Sequence, residues 1–285
     1  MNNTKKKSPI SWVPTAYFAM GLPFVVLNMV TVLMFKGLEV DDKLITFWTS
    51  LILLPWTLKP LWSPFLELFR TKKFFVIVTQ LITGVTFGLV AFALNLSHFF
   101  SISIALLAIV AFSGATHDIA CDGVYMSELS NEDQAKFIGW QGAFYNIAKI
   151  LATGGLVYLA GYFIELNADA GLLIANKRAW MIILLILSVT MILLGIYHLF
   201  ALPSTQSASS KKTLRSNKEV MKELGQVLMD FFRKTHITYY IFFIILYRFA
   251  EGFVMKIVPL FLKADREMGG LGLNEKEIGL YYGTY

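Results

Sequence analysis

ISIALLAIVAF, residues 102–112, runs directly into SGATHDIACDGVYMSE, residues 113–128. The first part is apolar enough to be buried in lipid, yet His117, Asp118 and Asp122 appear before any loop signal. Ionisable side chains at membrane depth are costly, so they usually face a partner or a water-filled path. Asp118 and Asp122 are four residues apart, which places both carboxylates on one helix face. The segment therefore predicts a membrane-spanning helix with one polar, functional face.

The composition points away from a soluble protein. Of the 285 residues, 56% are hydrophobic and 15% are charged, and the mean hydropathy is +0.61. A soluble chain carries roughly a quarter charged residues to cover its surface, so most of this surface is predicted to face lipid. The single cysteine, Cys121, excludes an intramolecular disulfide and a cysteine-based zinc site. We interpret it as a buried, unreactive thiol.

Runs of about 20 apolar residues mark helices long enough to span a membrane. The first run is longer than the apolar core of a signal peptide and has no small-x-small cleavage site, so it predicts a membrane helix. The predicted spans are residues 12–35, 44–66, 74–96, 100–126, 137–164, 179–201 and 237–262. An eighth span begins near Glu277 and is cut off at Tyr285, so we expect the chain to be a fragment of a longer protein.

Two local signals concern helix geometry. Pro55, Pro60 and Pro64 predict that the second span is kinked or broken. A broken membrane helix is tolerated where neighbouring helices or water satisfy the freed carbonyls. Gly84-x-x-x-Gly88 in the third span is a small-residue spacing that lets helices approach closely, and we interpret it as a packing motif.

Lysine and arginine residues predict the orientation of the chain. They are about twice as frequent in the segments on the N-terminal side as in the opposite loops, which places the N-terminus in the cytoplasm. Residues 202–236 are predicted to be a basic cytoplasmic connector, either a solvated linker or a lipid-binding or regulatory arm. Residues 1–201 then form an N-terminal six-helix bundle, and residues 237–285 begin a C-terminal bundle. This is the layout of a two-bundle secondary transporter.

Four cations remain at membrane depth once the loops are set aside: Lys59, Lys149, Arg248 and Lys256. A buried cation without an acid is costly, so each is expected to have a carboxylate partner. Arg248 can pair with Glu251 one turn away in its own helix. In the fifth span, the polar side chains recur at every fourth residue and form one stripe. We expect a central cavity lined by Gln141, Tyr145, Lys149, Arg248 and Glu251.

The acids of the fourth span have two interpretations. Two carboxylates close together and buried do not both ionise readily, so one of them is able to exchange a proton. Alternatively, Asp118 or Asp122 forms a fixed salt bridge, for instance to Lys59 or Lys149. His117 is about 100° from Asp118 around the helix, which favours a hydrogen-bonded interface histidine over a proton relay. The candidate residues for proton coupling or substrate contact are Asp118, Asp122, Lys59 and His117.

We find no signature of an enzyme. His117-Asp118 is a dyad of some metal-dependent phosphohydrolases, but the remaining histidines, His98, His198 and His236, lie near different span ends and do not complete a ligand set. Gly270-x-Gly272 lacks a third glycine and a preceding strand, so it is no dinucleotide fingerprint. The cytoplasmic lysines indicate topology rather than nucleic-acid binding. We expect no enzymatic activity, no metal and no cofactor.

The most specific motifs are PWTLKPLWSP at residues 55–64, in the second span, and ATHDIACDG at residues 115–123, in the fourth. Together they resemble the AmpG-type muropeptide permease branch of the major facilitator superfamily, to which acetyl-CoA transporters are more distantly related. The resemblance implies an all-α major facilitator-type bundle that imports peptidoglycan fragments (anhydro-muropeptides) across the bacterial cytoplasmic membrane, coupled to protons. It also implies that Asp118 and Asp122 are the functional carboxylates and Lys59 the matching cation.

The partners implied by the resemblance are a cell-wall sugar–peptide, protons and the lipid bilayer, with a monomeric full-length protein and no nucleic acid. Two alternatives stay open. One is a major facilitator-type transporter of another oligosaccharide or anionic solute, such as a coenzyme A thioester. The other is a membrane sensor or scaffold that transports nothing and acts through its basic connector.

The chain departs from the family pattern in three places. The loop of residues 67–73 keeps the acid and the basic residues of the superfamily's Gly-x-x-x-Asp-Arg-x-Gly signature but lacks its glycines. Gly123 and Tyr125 stand where many members have a different polar sequence, which leaves the solute open. The family has at least twelve spans, whereas this chain stops within its predicted eighth.

Overall fold

The computed structural model describes residues 7–63, 66, 71–203, 222, 225–226 and 229–283, without the side chains of Arg248 and Glu251. The regular structure of this part of the chain is helical. Six helices are long and apolar enough to cross a membrane, as in a multi-pass, all-α membrane protein. We call them span 1 (Pro9–Gly37), span 2 (Asp42–Leu61), span 3 (Lys72–Ala93), span 4 (Phe99–Glu128), span 5 (Asn131–Leu166) and span 6 (Leu172–Ala201).

After span 6, the structure gives the bounds of two more α-helices within the described residues. Helix 7 covers Ile237–Lys263, where the sequence predicts the seventh span, and helix 8 covers Glu275–Tyr281. That these two cross a membrane stays a prediction. The connector predicted over residues 202–236 falls mostly outside the described residues, as do most residues of the loop 67–73.

The six spans match the first six predicted runs in order, and spans 1, 4, 5 and 6 are longer than the runs that predict them. Span 5 begins at Asn131 rather than near residue 137, because Ser130 caps it: the Ser130 Oγ accepts a hydrogen bond from the N–H of Asp133 at 3.1 Å. Span 6 begins at Leu172, directly after Gly171 with φ +86°. Hydropathy marks only the part of a helix that lies in lipid, whereas capping and backbone hydrogen bonds decide where the helix begins.

Spans 1 and 2 are both irregular. Span 1 is an α-helix over Val13–Val25, widens to one π-helical turn over Val26–Val30, and continues as an α-helix over Thr31–Gly37. Span 2 is divided into Asp42–Leu51, Leu54–Leu58 and a 3₁₀ turn at Lys59–Leu61. The break predicted from Pro55 and Pro60 is therefore confirmed, and Pro64 lies outside the described residues.

Span 1 is the central element of the bundle, since 89% of its most apolar stretch is buried inside the protein. Span 3 packs between spans 4 and 6. A Cβ added to Gly84 would lie 2.7 Å from Ile192 Cγ1 and 2.9 Å from the carbonyl oxygen of Ser188, both in span 6. The glycine spacing in span 3 is thus a close helix contact, which confirms the packing interpretation.

Candidate functional site

The carboxylate of Asp118 lies in a polar contact between spans 2 and 4. Lys59 Nζ donates to Asp118 Oδ2 at 2.7 Å, and Trp56 Nε1 donates to the same oxygen at 2.9 Å. The side chain of Lys59 is 27% exposed and that of Asp118 is 11% exposed. A charge-assisted bond in such a poorly hydrated place is stronger than one on the surface. Of the predicted partners for Asp118, the structure therefore selects Lys59.

The break in span 2 is what brings these donors to Asp118. Trp56 lies on the short helix Leu54–Leu58, and Lys59 opens the 3₁₀ turn that follows it. The indole of Trp56 also packs edge-on against Phe24 of span 1, with ring centroids 5.3 Å apart. Since i and i+3 side chains share a face at this geometry, the tryptophan and the lysine both reach span 4.

Gly114, one turn before Asp118, makes room for the Trp56 indole. A Cβ at position 114 would lie 2.8 Å from Trp56 Cζ2, closer than carbon atoms approach without displacement. Only a residue without a side chain lets the indole N–H reach the Asp118 carboxylate.

We expect Gly114→Ala to lower the stability of the purified protein by about 1–3 kcal/mol, the usual cost of overpacking a tight contact. Thermal unfolding in detergent measures the effect. The matched control is Gly142→Ala, which also replaces a glycine inside a helix, in span 5. A Cβ added at position 142 has no neighbouring atom within 4 Å. Equal melting temperatures for the two variants would contradict the role of Gly114.

Asp122 lies one turn further along span 4 and has different partners. Tyr17 of span 1 donates its hydroxyl to Asp122 Oδ1 at 2.8 Å, and Gln141 Nε2 of span 5 donates to the Tyr17 oxygen at 2.8 Å. Unlike Asp118, Asp122 is exposed on the protein surface. The two predicted acids are thus neighbours in separate surroundings, one paired with a lysine and the other bonded to a tyrosine.

Asp118 keeps unused hydrogen-bonding capacity. Its second oxygen, Oδ1, is buried and has no hydrogen-bond partner among the described residues. A buried acceptor without a donor costs free energy, which a proton or a donor group on a ligand would recover. The geometry therefore suits a carboxylate that accepts a proton or an N–H or O–H group from a bound molecule.

His117 belongs to another polar chain, which joins span 4 to spans 3 and 6. Gln80 Nε2 lies 2.9 Å from His117 Nε2, and Gln80 Oε1 lies 2.8 Å from His198 Nδ1. Thr15 Oγ1 lies 2.9 Å from His198 Nε2. An amide nitrogen only donates, so His117 accepts at Nε2 and carries its proton on Nδ1. This is the hydrogen-bonded interface histidine that the helix geometry favours.

We expect Gln80→Met to lower stability by about 2 kcal/mol, because it leaves two buried histidine nitrogens without partners while keeping the side-chain volume. Gln80 itself is fully buried. The measurement is thermal unfolding of the purified protein, and Asn146→Leu at an exposed position of span 5 serves as the control. A stability unchanged from the parent would show that the network contributes little.

Four further residues were predicted to line a central cavity: Tyr145, Lys149, Arg248 and Glu251. Tyr145 and Lys149 are half-buried on span 5, on the stripe that includes Gln141. No described carboxylate lies within 4.0 Å of the Lys149 ammonium nitrogen. The side chains of Arg248 and Glu251 lie outside the described residues. Their membership of a cavity stays a prediction.

The expectation that every buried cation has a carboxylate partner is wrong for Lys256. Within the part of the chain that the structure describes, its ammonium contacts backbone carbonyls of spans 1 and 2 and no carboxylate. Cys121 is a free, buried thiol, as predicted. Among the described residues, no three His, Cys, Asp or Glu side chains are placed to hold a metal ion.

Sequence analysis missed five members of these hydrogen-bonded groups: Thr15, Tyr17, Trp56, Gln80 and His198. Each lies in an apolar run, and single polar residues in such runs are common in the interiors of membrane bundles. The only sequence signal for these residues was a polar side chain inside a predicted span, because such a side chain is expected to hydrogen-bond to another helix.

Comparison with known proteins adds no relative to this description. No family model matches the chain, and no curated protein matches it. The chemistry of the site has therefore to be argued from its own contacts.

Proposed function

We propose that the protein is a proton-coupled secondary transporter of the major facilitator type that imports peptidoglycan fragments (anhydro-muropeptides) by alternating access. The observation that carries the proposal is the ion pair of Lys59 and Asp118 at membrane depth, with one Asp118 oxygen left without a partner. Ionisable pairs in membrane helices typically mark substrate paths or proton relays. The motifs of residues 55–64 and 115–123 favour the solute class.

In this proposal the pair couples the proton to the solute. When Asp118 is ionised, its charge holds Lys59. Binding of a proton to Asp118 removes that charge, so the ammonium is released to bind an anionic group of the solute, such as a peptide carboxylate. The hydrogen-bonded group of Tyr17, Asp122 and Gln141 then contacts the polar remainder of the solute.

The proposed setting follows from the same resemblance. The protein would lie in the cytoplasmic membrane of a bacterium with its N-terminus in the cytoplasm, and it would need no cofactor and catalyse no reaction. Residues 1–201 would form the first bundle and residues 237–285 would begin the second, with the solute site between them.

The test is uptake of labelled GlcNAc-anhydro-muropeptide into membrane vesicles containing the protein, with and without an imposed inward proton gradient. We expect uptake that depends on the gradient and is lost in vesicles without the protein. Unlabelled competitors, namely other oligosaccharides and coenzyme A thioesters, identify the solute class. Vesicles that contain folded protein and show no gradient-dependent uptake of the labelled muropeptide would contradict transport of this solute class.

Deletion of residues 205–214 in the connector distinguishes a transporter from a sensor or scaffold. A transporter of the proposed kind should keep most of its uptake after this deletion, because the solute site lies within the helices. A sensor or scaffold that acts through the basic connector would lose its activity.

A further inference from the structure

Among the described residues, the hydrogen-bond partners of the Lys256 ammonium in helix 7 are backbone oxygens. Lys256 is 5% exposed, and its Nζ lies 3.0 Å from the carbonyl oxygen of Asn28, 3.4 Å from that of Thr49 and 3.5 Å from that of Leu27. No described carboxylate lies within 4.0 Å of this nitrogen. A buried charge without a counter-charge is costly, so the oxygens around it must compensate for lost hydration.

Two of these oxygens come from the π-helical turn of span 1. Leu27 and Asn28 lie within Val26–Val30, where the backbone is wider than an α-helix. Such a turn disturbs the regular bonding from each N–H to the carbonyl four residues earlier, and π turns often mark functional sites. The carbonyl oxygen of Leu27 accepts the Thr31 hydroxyl at 3.0 Å as well as the Lys256 ammonium, and that of Asn28 accepts the ammonium at 3.0 Å.

The third oxygen is made available by the break in span 2. In a continuous α-helix the N–H of Leu53 would donate to Thr49. Here it donates to the carbonyl of Ser50 at 3.2 Å, and the N–H of Ile52 donates to Trp48 at 3.0 Å. Two irregularities in two different spans thus point carbonyl oxygens at one position.

We propose that the carbonyl oxygens of Leu27, Asn28 and Thr49 form a binding site for a monovalent cation of about the size of ammonium, such as K⁺ or Rb⁺, which Lys256 occupies in this conformation. Converging backbone carbonyls are the ligands with which channels replace the hydration shell of K⁺. The lysine and a free ion then exclude each other. When Lys256 is withdrawn or removed, the ion takes its place. This inference does not depend on the transported solute.

The test removes the tethered cation and asks whether a free one replaces it. Lys256→Met keeps the length of the side chain and loses its charge, and Lys256→Gln also keeps an N–H donor for the carbonyls. The purified variants are melted in KCl, RbCl, NaCl and choline chloride at equal ionic strength, and binding of radioactive rubidium is measured directly. The parent protein and Lys149→Met, which loses another lysine of the spans, are the controls.

We expect both Lys256 variants to melt lower than the parent in choline chloride and to gain several degrees in KCl or RbCl, with saturable rubidium binding that the parent and Lys149→Met lack. No difference between potassium and choline in either variant would overturn the proposal. The same holds for an equal gain in the controls, which would be a general salt effect. Failure of both variants to fold even when purified in KCl would also overturn it, because an ion that fits the site would restore them.

Discussion

Asp118→Asn is expected to abolish uptake driven by a proton gradient while leaving exchange of solute across the membrane. Asparagine still accepts a hydrogen bond from Trp56 Nε1, which reaches the Asp118 carboxylate at 2.9 Å, but it neither binds nor releases a proton. A step that needs protonation therefore stops, whereas exchange of external for internal solute requires no net proton movement. Uptake of labelled muropeptide with a gradient, and counterflow without one, measure the two activities separately.

The control for this experiment is Asp169→Asn, which removes an exposed carboxylate from the loop between spans 5 and 6. It should leave both activities unchanged. Gradient-driven uptake that persists in Asp118→Asn would exclude a coupling role for this residue. Loss of counterflow together with uptake would instead show that Asp118 is needed for solute binding or for the fold.

Lys59→Met is expected to lower stability by about 3 kcal/mol, because it leaves the Asp118 carboxylate buried without its counter-charge. This is the lower end of the usual range, since 27% of the Lys59 side chain is exposed and water screens part of the charge. The double variant Lys59→Met/Asp118→Asn should regain much of the loss, because no unpaired charge remains. Thermal and denaturant unfolding of the parent, both single variants and the double variant form a complete cycle.

Lys43→Met, at an exposed position near the start of span 2, is the control for removal of a lysine charge. It should change stability little. Additive losses from Lys59→Met and Asp118→Asn would contradict the ion pair, because two residues that stabilise each other give a double variant less damaged than the sum.

The uptake and unfolding experiments separate function from structure. An Asp118 variant that folds and exchanges solute but does not respond to the gradient identifies a coupling residue. The double variant Lys59→Met/Asp118→Asn, which should regain stability, separates the two roles of the pair: gradient-driven uptake at the parental level in this variant would mark the pair as mainly structural. The binding of rubidium by the Lys256 variants is independent of both, since it requires neither solute nor gradient.

The all-α class, the six helices long and apolar enough to cross a membrane and the break in span 2 were predictable from the sequence. These features depend on properties that neighbouring residues carry together: the length of an apolar run, and proline residues that cannot continue a helix. Asp118 and Lys59 were recognisable from the sequence as candidate site residues, because a charged residue inside an apolar run is unusual.

Which residues meet could not be predicted from the sequence and depends on how the helices pack. In the structure, Asp118 pairs with Lys59 and not with Lys149. Asp122 accepts a hydrogen bond from Tyr17. Gln80 links His117 to His198. Among the described residues, Lys256 contacts three carbonyls in place of an acid. Hydropathy and periodicity report how each helix faces its surroundings, but partners on different helices depend on rotation, on close glycine contacts and on irregular turns. These features are fixed only when the helices pack.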